Sequence, residues 1–157
     1  MTTPEQNKEL VLKAFDTLFD KRDYVTAEEL WSEEYVQHSR HIPPGREGLF
    51  GLVRSLPDTL RYEHQLVVAE GDYVMLYGRY SGMGNPEAAV VADVVRIKDG
   101  KLAEHWDVWE EEATRDESAG RLPMPPQSRS DFPNPAASGI RSPSGGGAAS
   151  ASATGRA

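Results

Sequence analysis

The chain contains no cysteine among its 157 residues. That excludes disulfides, thiolate metal centres and cysteine nucleophiles, and it fits a reducing compartment. No apolar run reaches the ~18 residues a membrane-spanning helix needs, so no membrane partner is expected. The opening MTTPEQNKEL lacks a basic start followed by an apolar block; no secretory signal is read, and a cytoplasmic protein is expected. Positive charge is also scarce. Seventeen Lys and Arg stand against 25 Asp and Glu, for a net charge of -8, which argues against a nucleic-acid partner. None of the four histidines forms a His-x-x-x-His or Glu-x-x-His pair, so neither a metal nor another cofactor is expected.

The charge that is present is unevenly placed. Residues 120–157 hold four Arg and one acid, Asp131, for a net +3, leaving -11 on the rest. Twenty-six of those 38 residues are Gly, Pro, Ser or Ala, too little apolar surface to offset the entropy of ordering them. The chain therefore divides into a folded body, 1–115, and a tail, 116–157, expected to be disordered from about Pro135. Leu122, Met124 and Phe132 could anchor the start of the tail to the body or to a second subunit.

The body opens with helical periodicity. Leu10, Val11, Ala14, Phe15 and Leu18 recur at three- and four-residue spacing, predicting a helix from about Pro4 to Phe19. Asp23 is placed to cap a second, short helix from Tyr24 to Trp31. An extended piece follows through Tyr35 and His38, then a loop at Ile42-Pro43-Pro44-Gly45, then a third helix from Arg46 to Leu56. After Pro57 the period changes to two. Four strands are predicted at about 60–70, 73–82, 88–98 and 101–112, with Asp99-Gly100 as the strongest hairpin signal. Helices followed by an antiparallel meander mean an α+β fold, a curved sheet wrapped on helices around a cone-shaped pocket.

The last strand carries the chemistry. Alternation puts His105, Asp107 and Trp109 on one face and Leu102, Trp106 and Val108 on the other. A carboxylate on an inward sheet face is costly unless partnered or used, which singles out Asp107. Asp93 lies on the preceding strand. A two-residue Asp99-Gly100 loop opposes Lys98 to Lys101 and leaves Asp93 diagonal to Asp107; a one-residue bulge would bring the two carboxylates face to face. His38 sits in the segment expected to cross the pocket wall, with Tyr35 before it. Of Tyr62, Tyr73, Tyr77 and Tyr80, one could donate to an oxyanion, and spacing does not choose among them. Tyr77 and Trp109 are taken with Tyr35 as pocket residues. His41 reads as a loop residue and His64 as a satisfied sheet residue.

The element order, the Tyr35-Val-Gln-His38 segment, the Pro44-Gly-Arg-Glu-Gly48 helix start and the ending Asp93-Val-Val-Arg-Ile-Lys-Asp-Gly-Lys-Leu-Ala-Glu-His105-Trp-Asp107 together resemble SnoaL-like polyketide cyclases. That family belongs to the nuclear transport factor 2-like superfamily, with ketosteroid isomerases and limonene epoxide hydrolases. The resemblance spans about residues 5–115. It implies a cofactor-independent enzyme in which Asp107 is the general base of an aldol-type ring closure or isomerisation. It further implies that His38, Asp93 and His105 line the pocket, and that copies pair through their sheets as a homodimer. Ser39 stands where the family often has Asn, keeping a donor with shorter reach.

Proton removal next to a carbonyl needs a base and something to stabilise the enolate oxygen. The expected ligand is small, apolar and polycyclic. Two other functions fit the same residues. One is a pocket that binds a ligand without catalysis. The other is an epoxide hydrolase using Asp93, Arg79 or Arg96, and Asp107 as a relay.

Overall fold

The structure, a computed structural model, describes residues 2–124. The expectations for Phe132 and for disorder beyond Pro135 lie outside the described residues. Helix α1 (Pro4–Phe15) begins at a capping box: the Thr3 hydroxyl accepts from the Gln6 N–H at 3.2 Å, and the Gln6 side chain accepts from the Thr3 N–H at 2.9 Å. The expected helix to Phe19 is continuous, but its last turn, Asp16–Asp20, widens to π-helical pitch, with Leu18 and Phe19 still buried. Helix α2 (Tyr24–Leu30) starts at Asp23, whose carboxylate accepts from the Thr26 N–H at 3.1 Å. Trp31 does not end that helix. It opens strand β1 (Trp31–Gln37), and its indole is almost fully buried. Helix α3 (Gly45–Ser55) follows.

Strands β2 (Arg61–Glu70), β3 (Tyr73–Ser81), β4 (Ala89–Lys98) and β5 (Lys101–Glu111) form the expected antiparallel meander. The sheet order is β1-β5-β4-β3-β2. The fold is α+β, but the sheet is mixed rather than wholly antiparallel, because β1 runs parallel to β5 and covers that edge. Lys98 faces Lys101 across Asp99 and Gly100, whose φ values of 53° and 72° give a type I′ turn.

One residue further into that hairpin the register shifts. Ile97 pairs with Leu102, but Arg96 pairs with Glu104, so Ala103 is an extra residue on β5. The strict alternation read from the sequence therefore fails at this point. Leu102 returns to the inner face with His105 and Asp107, and is buried in the core, while Trp106 and Val108 face outward.

The helices cover the inner face of the sheet. Trp31, Phe50, Leu18, Leu60, Leu76 and Leu102 are all under 2% exposed, each contributing about 1.5–3 kcal/mol by leaving water. Tyr62 packs at 5.1 Å from Phe15 and 4.6 Å from Tyr80. Its ring lies over Gly78 so closely that a Cβ there would sit 2.6 Å from it, which is why this strand interior holds glycine. The outer face keeps Leu66, Val68, Tyr73, Met75 and Val108 in solvent. No helix among the described residues is long and apolar enough to cross a membrane.

Candidate active site

The bulge at Ala103 decides what the site contains. Beyond it, Val95 pairs with His105 and Asp93 pairs with Asp107, so both carboxylates and the imidazole project from neighbouring positions on the inner face. Their ligating atoms all lie within 4.8 Å of one another. Asp93 and His105 are only 3% and 4% exposed. The two are joined by a 2.9 Å contact between His105 Nε2 and Asp93 Oδ1.

The far end of β1 holds this cluster in place. The Ser39 backbone N–H donates to Gln37 Oε1 at 2.9 Å, which identifies that amide atom as the oxygen. The same oxygen meets His105 Nδ1 at 2.8 Å. An amide oxygen can only accept, so Nδ1 carries a proton. The contact on the other side, from Nε2 to Asp93, then holds one proton shared between two acceptor atoms. The Ser39 hydroxyl donates to Asp107 Oδ2 at 2.7 Å and is that carboxylate's side-chain partner among the described residues.

Burial is the main force raising the Asp93 pKa, and the like charge of Asp107 adds to it; the His105 hydrogen bond and charge oppose the rise. The Tyr80 hydroxyl approaches Asp93 and also opposes it, though Asp93 Oδ2 has no hydrogen-bond partner of full geometry among the described residues. Burial likewise pushes the Tyr80 phenol well above its usual range, so it is a donor at neutral pH.

Asp93 and Asp107 open onto a cavity of about 330 Å³. That volume is at the small end for ligand sites. Phe19, Leu49, Val53, Leu56 and Leu60 line it from the helical side, and Val91, Tyr80 and Trp109 from the sheet. His41 and Asn85 add polar atoms; among the described residues no Lys or Arg contributes.

Residues 11–105 match the model of the SnoaL-like domain, which is more than half of the chain. The chain belongs to the SnoaL-like domain family. Solved structures agree on the fold. A candidate ketosteroid isomerase from Kribbella flavida DSM 17836 superposes with a TM-score of 0.61 at 23% identity, covering 71% of this chain and 82% of that one. TsrD from Streptomyces laurentii gives 0.59 at 22% identity over 70% and 92%. IdmH from Streptomyces antibioticus, a candidate polyketide cyclase, gives 0.53 at 23% identity over 69% and 93%. No curated protein matches the chain.

For this SnoaL-like protein the structure brings Asp107, Asp93, His105 and Trp109 together, and places the other expected residues elsewhere. His38 is not in the pocket. β1 ends at Gln37, and the next side chain falls on the outer face, where His38 stacks on Trp106 at 4.8 Å and meets Glu104 at 2.9 Å. Tyr77 is also an outer-face residue; its hydroxyl donates to the Met124 carbonyl at 3.1 Å, so the start of the tail does fold back on the body. Tyr35 is buried beside the site rather than lining it, with its hydroxyl accepting from Gln37 Nε2 at 3.4 Å. Burial raises its pKa.

The relay of carboxylate, guanidinium and carboxylate is not assembled. Arg79 pairs with Glu63 and Glu112, and Arg96 with Glu104, all on the outer face. His64 is exposed. Gln37 and His41 carry roles that the sequence reading gave to neither. Gln37 had a usable signal, since it shares the inward parity of Tyr35 on β1. His41 reaches the cavity and Trp109, at 5.4 Å, only because its loop turns back over the sheet.

Proposed function

We propose that this SnoaL-like protein is a cofactor-independent enzyme that removes a proton alpha to a carbonyl of a small, uncharged, apolar substrate. Asp107 is the base. The observation that carries this reading is its position: a carboxylate fixed on one oxygen by Ser39, on the wall of a mostly apolar cavity that no Lys or Arg lines among the described residues. Such a cavity favours neutral ligands, because its two carboxylates would repel a carboxylate or phosphate group and its apolar walls would leave that charge unsolvated. Asp93 stands opposite, with its affinity for a proton raised, and polarises the substrate carbonyl together with the Tyr80 hydroxyl. His105 positions Asp93. The reaction class is aldol-type closure or isomerisation, both of which begin with this proton transfer.

The reading includes a homodimer joined through the outer sheet face, where five large apolar side chains stand in water on the single chain.

The test is proton exchange in heavy water. Polycyclic ketones and 1,3-dicarbonyl esters are incubated with wild type and with Asp107→Asn, and deuterium entry at the alpha carbon is followed. The expected result is exchange that falls at least about 100-fold in the variant, the low end for loss of a general base. Ligand binding without exchange in wild type would replace this reading with that of a binding protein.

A further inference from the structure

The contact between His105 and Asp93 contains an electrostatic conflict that a proton resolves and that a cation could resolve as well. Gln37 Oε1 fixes the His105 proton on Nδ1. The Nε2 lone pair then points at Asp93 Oδ1 from 2.9 Å. Two acceptor atoms at that distance repel unless something positive lies between or beside them. Asp93 Oδ2 is buried, with no partner of full geometry among the described residues. Asp107 faces the same space from the opposite strand.

We infer that Asp93, His105 and Asp107 form a binding site for one divalent transition-metal ion of the zinc or cobalt type.

Four observations support it. The donor set is one neutral imidazole nitrogen and two carboxylates, the borderline mixture that suits zinc, cobalt and nickel better than magnesium, which prefers oxygen and retains its waters. Two carboxylates match a dication, and among the described residues no Lys or Arg lines the cavity to compete. The second nitrogen of the imidazole is already held by an oxygen acceptor, the outer-sphere arrangement that metal-ligating histidines use. The spacing is close to what is required. Tetrahedral bonds of about 2.0–2.2 Å put two ligand atoms about 3.3–3.6 Å apart; the three lie within 4.8 Å, so binding draws them in by about an ångström. Asp107 has room to close the difference, being only half-buried and held by one hydroxyl. Binding releases the shared proton to solvent and leaves the cavity side of the ion open. It also occupies Asp107, so the ion-loaded protein lacks a free base.

The site is tested on the full, untagged chain by calorimetric titration with zinc and by the visible absorption of added cobalt. Wild type should take up one equivalent and show the intense absorption of a low-coordinate cobalt centre. The isosteric variants Asp93→Asn and Asp107→Asn should each lose that spectrum. Gln37→Met, which removes the acceptor on Nδ1, should weaken binding about 10–100-fold. Circular dichroism confirms that each variant is folded, and Asp107→Asn, at a half-exposed position, is the safeguard should the buried changes fail. No uptake at millimolar ion, or equal uptake by wild type and Asp107→Asn, overturns the site. Deuterium exchange is measured separately with a chelator present. Exchange without metal uptake sinks this inference alone, and metal uptake without exchange sinks the carbon-acid reading alone.

Discussion

Asp93 and Asp107 stand directly opposite one another in the β4–β5 ladder because Ala103 is an extra residue between the Asp99-Gly100 turn and the site. Without that bulge the turn alone would leave them diagonal, and His105 would face away from the core that now buries it. The bulge therefore sets which charged groups share the inner face and how they are spaced.

The first consequence concerns parity. Leu102 and Val108 share one face in a regular strand, but here Leu102 is 1% exposed and Val108 75%. Leu102→Ala should cost about 2–5 kcal/mol, the range for a buried leucine, and Val108→Ala clearly less, because that side chain lies off the core of its own subunit. Urea denaturation of the two variants measures this; equal losses would place Leu102 on the outer face.

Asp93 makes stability depend on pH. Its carboxyl holds a proton more tightly folded than unfolded, because burial disfavours the charge. The folded state thus binds more protons above the ordinary carboxylate pKa of about 4, and stability falls as pH rises through the raised value. Asp93→Asn cannot lose that proton. The variant should gain on wild type progressively as pH rises from about 4 to neutrality, while losing deuterium exchange. A stability difference that stays flat across this range contradicts the assignment.

Ser39 acts on Asp107 through one short hydrogen bond. Ser39→Ala should slow exchange at least about tenfold, since a hydrogen bond to a charged group contributes about 1.5–3 kcal/mol and each ~1.4 kcal/mol is tenfold in rate. The urea midpoint should hardly move, since the position is only half-buried. Unchanged exchange would show that Asp107 needs no positioning.

His38 is expected to matter little to the reaction. It stacks on Trp106 and pairs with Glu104 outside the cavity, and its hydrogen bond is the main cause of the lowered Glu104 pKa. His38→Ala should leave exchange within about twofold of wild type and cost under ~1 kcal/mol, as surface ion pairs do. A loss of exchange comparable to that of Asp107→Asn would return His38 to the site.

The homodimer is checked by sedimentation of wild type against Met75→Glu with Val108→Arg, two outer-face positions now 45% and 75% exposed. Wild type should sediment as a dimer and the double variant as a monomer; a monomeric wild type ends that part of the proposal.

Much of this was legible in the order of residues. The helical stripe from Leu10 to Leu18, the Asp23 cap, the Asp99-Gly100 turn and the change to period two fix the elements and their order, because each depends on neighbours within one turn or one strand. Asp107 and Asp93 were legible too, as carboxylates on strands that must bury a face. What local pattern could not decide was where parity breaks. A one-residue bulge is an adjustment between strands, chosen by how well Leu102 fills the core while His105 and Asp107 keep the inner face, and period-two reading has no term for it. The same holds for His38 and Tyr77, whose facing depends on where β1 ends and how β3 pairs. It also holds for Gln37, which matters only because β1 lies parallel beside β5. The sequence by itself determined the helices, the strands and the acids; only the tertiary structure decided which face each acid shares and with what, because that is settled by pairing across strands distant in the chain.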